Sequence, residues 1–171
     1  MTGHVKDISA SGKLWVGHDA NKISNTVFDA LSQAKSSIQI SAFSLGEQNT
    51  ATQTFFKIID QQLHAGRYVQ FIVNNLNGKT IGKFSKKQLH SLQKFENFDL
   101  FNFKNTNKYG VLHAKIIVID RTVALIGSPN ISNSAMNHNY EIMLSIEGKD
   151  VAKISNLLDK LTSAIKRGDD L

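Results

Sequence analysis

Residues 112–130, LHAKIIVIDRTVALIGSPN, constrain this chain more than any other stretch. Two short apolar runs, 116–119 and 122–126, flank the polar pair Asp120-Arg121. Short runs rich in β-branched residues read as buried strands, so this stretch predicts two strands joined by a turn. Side chains two apart on a strand share a face. His113 and Lys115 therefore point the same way, and Asp120, an odd number of positions from both, faces away or ends the strand. The second run stops at Gly127, where backbone can approach a ligand closely.

The polar residues of this stretch keep fixed offsets: H-x-K-x4-D-x6-G-S-x-N, from His113 through Lys115, Asp120 and Ser128 to Asn130. A histidine, an ammonium, a hydroxyl and an amide gathered together suit a phosphate, with charge from lysine and hydrogen bonds from serine and asparagine. The imidazole serves as nucleophile or as acid and base near neutral pH. The rival reading is a metal site built from His113, Asp120, His138 and Glu141. Lys115 argues against it, because an ammonium beside His113 repels a cation and attracts an anion.

This string resembles the HKD motif of the phospholipase D superfamily, and Asn137-His138-Asn139-Tyr140-Glu141-Ile142 resembles that family's downstream N-x-E element. The resemblance implies an α/β fold, a mixed β-sheet flanked by helices, forming a single domain over residues 1–171. It implies phosphodiester chemistry with neither metal nor cofactor. A histidine attacks phosphorus and forms a phosphohistidine. A second histidine, from a second copy of the motif, protonates the leaving oxygen and then activates water. By the same resemblance the catalytic set is His113, Lys115, Asp120 and Glu141. Lys115 and Asn130 hold phosphate oxygens with help from Ser128, Glu141 orients His113 through its other ring nitrogen, and Asp120 is held structurally in a buried polar network.

The family's chemistry needs two copies of the motif, and this chain carries one. The other H-x-K, His4-Val5-Lys6, has Ser11 where the aspartate should stand and no G-S-x-N after it. A homodimer with two-fold symmetry would bring two copies of His113 into one cleft. Small single-motif members of the superfamily resemble endonucleases that cut DNA without a metal. The chain's net charge of +6 favours an anionic partner such as nucleic acid. The expectation is thus a metal-independent nuclease acting on DNA, and on RNA as a further substrate, as a homodimer. The alternatives are a phospholipase or phosphatidyltransferase, marked by an apolar groove beside His113, and a nucleic-acid-binding module within a larger assembly.

Composition adds limits. The chain has 171 residues, 41% of them apolar, enough for one domain with a substantial core. With no cysteine there is no disulfide framework or thiolate metal site. No apolar run marks a signal peptide or a transmembrane helix, which sets a cytoplasmic expectation.

Along the chain, residues 14–16 predict a short first strand, and Asp19 a cap for a helix to about residue 35. Residues 37–45 alternate as a strand, 50–65 form an amphipathic helix ended by Gly66, and 68–74 form another strand. Residues 75–87 carry Lys79, Lys83, Lys86 and Lys87 in a loop that leads into a helix over about 85–96. That loop reads either as solvated surface or as a basic rim that steers a nucleic-acid backbone. A strand over 98–103, a turn over 104–110, a strand over 140–147 and a closing helix over 151–166 complete the pattern. The closing helix carries Ile154, Leu157, Leu158, Leu161 and Ile165 on its inner face. Trp15 and the ten phenylalanines read as core, and His18, His64, His90 and His138 as surface or helix-end residues.

Overall fold

The computed structural model describes residues 2–17, 20–104 and 110–169. In chain order the elements are β1 (His4–Ala10), β2 (Asn21–Lys22), α1 (Ile23–Ser32), β3 (Ser37–Ala42), α2 (Thr50–His64), β4 (Tyr68–Asn74), α3 (Lys83–Leu92), β5 (Phe98–Phe103), β6 (Ile116–Ile119), β7 (Val123–Gly127), α4 (Asn133–Asn137), β8 (Ile142–Glu147) and α5 (Val151–Arg167). All eight strands join one mixed sheet in the order β2-β1-β8-β7-β6-β3-β4-β5. The β3–β4–β5 side is parallel, and β3, β6, β7, β8 and β1 run antiparallel in succession. This is the mixed sheet flanked by helices that the sequence led us to expect.

Side-chain alternation divides the core. On β6, Ile117 and Ile119 join a cluster with Ile23, Val27 and Leu31 of α1 and Phe55 and Ile59 of α2. Val118 faces the other way and packs with Val151 and Leu158 of α5. Strands β3 and β4 are covered on both sides and are buried almost throughout, as a central strand in such a layered fold must be. Gln39 and Gln70 face α5 as buried polar residues, and they are satisfied there. Gln39 donates to Gln70 at 2.9 Å and to Asp159 at 2.7 Å, and Gln70 donates to Thr162 at 3.2 Å.

Local signals fix several ends. Asn49 and Thr52 form a reciprocal capping box on α2, with side-chain to backbone distances of 3.0 and 3.1 Å. Gly66, at φ +80°, takes the left-handed conformation just past that helix. The β6–β7 turn places both Asp120 (φ 52°) and Arg121 (φ 57°) in the left-handed region, closed by Thr122 N–H to the Ile119 carbonyl at 3.0 Å. Such a pair of positive φ values matches the twist of a hairpin. Arg121 offsets its backbone cost with an ion pair to Asp159 at 2.8 Å.

Several expectations need correction. The first strand is β1, while residues 14–16 make only an isolated bridge, Val16 to Ala20, after a turn from Gly12. Helix α1 begins at Ile23, and its N-cap Lys22 makes no side-chain cap. Asp19 and His18 lie outside the described residues, as do residues 105–109 of the expected turn and the last two of the tail. Helix α3 begins two residues early and ends at Leu92. Leu157 is 64% exposed and does not belong to the inner face of α5. No helix among the described residues is long and apolar enough to cross a membrane.

Candidate active site

The motif residues His113, Lys115, Ser128 and Asn130 meet at one place: the edge of the sheet where β3, β4 and β7 finish and β6 and β8 begin. In open α/β sheets, ligands bind at the carboxyl ends of the parallel strands. Three anchors hold the His113–Lys115 segment there. Asn74, the last residue of β4, accepts the Leu112 N–H at 3.0 Å. The Ser41 hydroxyl donates to the Ala114 carbonyl at 3.0 Å. The Gly127 N–H donates to the Lys115 carbonyl at 3.4 Å.

His113 is exposed and Lys115 half-buried. The Lys115 ammonium sits 2.9 and 3.0 Å from the two ring nitrogens of His113 and 2.9 Å from its carbonyl oxygen. A neutral imidazole has one donor and one acceptor nitrogen, so only one of the two ring contacts is a hydrogen bond. Burial pulls the Lys115 pKa below the ordinary lysine value, and the negative charge of Glu141 pulls it back up. Phe43, just past β3, tilts its ring 55° to the His113 imidazole with centroids 4.5 Å apart.

Ser128 and Glu141 form a pair across the mouth. The Ser128 hydroxyl donates to the Glu141 carboxylate and accepts the Ile142 N–H at 3.3 Å. Asn139 contributes an amide to the same carboxylate at 3.4 Å. The approach of β8 to β7 that makes this possible requires Gly127: a Cβ there would lie 2.2 Å from the Ile142 carbonyl oxygen. Among the described residues Glu141 thus reaches Ser128 and Asn139 and makes no hydrogen bond to His113, contrary to the expected orienting contact. Asn130 has a buried side-chain oxygen with no hydrogen-bond partner. It lines a small, mostly apolar cavity of about 20 Å³, in which Ser41, Ser44 and Lys115 are the other polar residues. The Asn130 side-chain oxygen only accepts, so a phosphate would not satisfy it; the group of Asn130 able to donate to a phosphate oxygen is its amide NH2.

Asp120 stands apart from this group. It ends β6 at the far edge of the sheet, on the order of 20 Å along an extended chain from His113. Its carboxylate accepts the N–H groups of Lys35, Ser36 and Ser37 at 2.8–2.9 Å and the Ser36 hydroxyl at 2.9 Å. These bonds are structural; the setting is half-exposed, without the expected buried network among the described residues, and the carboxylate touches none of His113, Lys115 and Glu141 there. The metal quartet of His113, Asp120, His138 and Glu141 is therefore not gathered. Desolvation raises the Asp120 pKa, but the hydrogen bonds from Ser37, Lys35 and Ser36 outweigh it and hold the carboxyl below its ordinary value. A depressed carboxyl pKa contributes stability that is present above the unfolded value and is lost as pH falls through the folded one. Asp120→Ala is accordingly expected to destabilise the fold by about 2 kcal/mol at neutral pH, with the deficit shrinking in acid. Urea unfolding of both forms at pH 7 and pH 3 checks this, and an equal deficit at both would remove the charge from the explanation.

The basic segment lies at the site's end of the sheet. Leu45 bridges to Ile81 on one side and to Ile131 on the other. With adjacent strands about 4.8 Å apart, Lys79 and Lys83 flank a segment roughly 10 Å from that of Asn130. Lys79, Lys83 and Lys87 are exposed, and none makes an ion pair among the described residues. The second H-x-K lies elsewhere, in β1, where Lys6 pairs with Glu147 at 3.2 Å.

Residues 27–163 match a family model described as cardiolipin synthase, PLD-like domain. The chain belongs to the phospholipase D-like family. Among solved structures it is similar to NucT from Helicobacter pylori, with a TM-score of 0.69 at 22% identity, over 81% of this chain and 86% of that one. It is also similar to Nuc, a phospholipase D family member from Salmonella typhimurium, at TM-score 0.66 and 19% identity, over 97% and 93%. Phosphatidylserine synthase from Haemophilus influenzae shares the fold at TM-score 0.64 and 14% identity, over 91% of this chain and 38% of that one. In sequence, the DISARM protein DrmC of Bacillus paralicheniformis is 34% identical over 65 residues. That match spans 27% of the relative's length and 38% of this chain.

Three residues at the site escaped the sequence reading: Ser41, Phe43 and Asn74. Two carried a signal. Phe43 falls in the phase of Gln39 and Ser41, opposite to Ile38 and Ile40, so an aromatic interrupts the polar side of a strand. Asn74 closes the apolar run Phe71–Val73 with an amide.

Proposed function

We propose that this chain is a phosphodiesterase of the phospholipase D superfamily that hydrolyses nucleic acid, DNA first, without a metal ion. The observation that carries the reading is the Lys115 ammonium against the His113 imidazole, open to solvent, with Asn130 beside it. A lysine in that place attracts a phosphate and disfavours a divalent cation. His113 attacks phosphorus, a nitrogen–phosphorus bond forms, and the bond to the leaving oxygen breaks. A second histidine gives that oxygen a proton. Water then attacks phosphorus, loses its proton to the same second histidine, and frees His113. Lys115 and Asn130 hold the non-bridging oxygens through both steps. The single Ser128 proton is engaged by Glu141, so its part is to hold that carboxylate near Lys115.

The second histidine is the partner subunit's His113 in a two-fold dimer. Support comes from an apolar strip left uncovered by the described residues. Helix α5 covers its face of the sheet from β5 to β7, and beyond it Val5, Ile8 and Ile142 stand 53%, 49% and 47% exposed. Exposed apolar patches on an otherwise charged surface mark interaction sites. This one begins at Ile142, one residue after Glu141, so a copy seated there brings its site edge close to the first.

Nucleic acid is favoured over lipid by the lysines of residues 79–87 and by the net charge of +6. The direct test offers the protein single-stranded DNA, plasmid DNA, RNA and phosphatidylglycerol vesicles in parallel. Cleavage of the nucleic acids with intact lipid is expected. Lipid hydrolysis with intact nucleic acid would reverse the assignment.

A further inference from the structure

We propose that Phe43 is a positioning residue for His113 and Lys115 together, an inference that rests on His113 being the reacting group. The ladder between β3 and β6 ends at the Ser41–Ile116 rung. Beyond it, residues 111–115 have no regular strand partner to fix them. The β3 terminus makes up for this with two side chains. Ser41 grips the backbone of Ala114, between the two motif residues. Phe43 grips both motif side chains, its ring centroid 4.5 Å from that of His113 and 5.2 Å from the Lys115 ammonium.

The chemistry of that grip suits the reaction. An exposed imidazole turns freely about its side-chain bonds, and a ring that must meet phosphorus in line works only in one orientation. A phenyl ring limits that rotation through contact alone. It makes no hydrogen bond, so it occupies neither imidazole nitrogen, and the one hydrogen bond to the ring comes from Lys115. Its face also attracts the Lys115 ammonium through the ring quadrupole, which keeps the cation beside the histidine before substrate arrives. A leucine would fill much of the volume and lose both the ring-to-ring contact and the quadrupole, whereas a tyrosine would keep them.

The test compares wild type with Phe43→Leu, Phe43→Tyr and His113→Ala on two substrates: an oligonucleotide and an abasic deoxyribose–phosphate polymer, which has no aromatic ring to stack. Phe43→Leu is expected to lower kcat on both by about ten- to a hundredfold with little change in KM, and Phe43→Tyr to restore most of it. The His113 ring-nitrogen NMR signals, identified by their loss in His113→Ala, are expected to shift in Phe43→Leu and to stay near wild type in Phe43→Tyr. A rise in KM confined to the oligonucleotide, with kcat intact, would overturn the proposal and make Phe43 a base-stacking surface. Unaltered ring signals in Phe43→Leu would overturn it whatever the turnover. Full activity of His113→Ala would instead sink the reaction assignment, and with it the role given to Phe43.

Discussion

His113→Ala is expected to lower cleavage by roughly ten-thousandfold or more while leaving the fold unchanged. When residues act as a unit in nucleophilic catalysis, removing the nucleophile costs nearly all that the unit supplies. Here the loss is compounded, because a two-fold dimer loses both the attacking ring and the protonating ring in one substitution. The side chain is exposed and sits outside the core, so little stability goes with it. Circular dichroism and thermal unfolding should match wild type. Mixing the inactive variant with wild type sharpens the test. Heterodimers carry one imidazole, so activity in a one-to-one mixture after subunit exchange should drop to about a quarter. Activity that falls only to half would mean that each chain works alone.

Ile142→Asp is expected to turn a dimer into a monomer and to abolish cleavage at micromolar protein. Ile142 is 47% exposed and lies on the same face of the sheet as Leu144 and Ile146. Facing a second copy, it would be buried in an isologous contact, and the substitution would place two carboxylates there at once. Burying an unpaired charge costs several kcal/mol, more than a modest interface retains. Ile8→Asp, on the paired strand β1, is expected to act in the same way. Sedimentation velocity gives the mass and urea unfolding shows that the monomer is folded. A wild-type monomer with full turnover would contradict the shared site and require a second proton donor within the chain.

The sequence carried the centre of the fold better than its margins, for physical reasons. Strands β3, β4 and β6 are covered on both faces; β4 and β6 carry the apolar runs Phe71–Val73 and Ile116–Ile119, and β3 shows a clear alternation of Ile38 and Ile40 with polar residues. Strand β1 is the reverse case. HVKDISA leaves Val5 and Ile8 exposed, and a register shift between Val5 and Asp7 breaks the alternation that would have revealed it. The apolar run at residues 14–16 looked more like a strand. Instead it forms a turn that sets Trp15 edge-on to Tyr140 at 5.1 Å, on the surface. Helix α4, at five residues, is too short to leave a periodic trace.

At the site, the motif's offsets brought His113, Lys115, Ser128 and Asn130 together because they bracket two adjacent strands whose ends meet. The partners of Glu141 were not legible. They depend on how closely β8 approaches β7, which Gly127 sets in three dimensions. Asp120 shows the opposite limit: a fixed offset in a motif signals a constraint, and here the constraint is a left-handed turn and the capping of residues 35–37.

The measurement that bears most directly on the central claim is cleavage of plasmid and single-stranded DNA by wild type in excess EDTA. A histidine nucleophile with lysine and asparagine on the phosphate needs no divalent ion, so the rate should be the same with and without chelator. Cleavage that disappears in EDTA and returns with an added divalent cation would contradict the account and place a metal in the reaction.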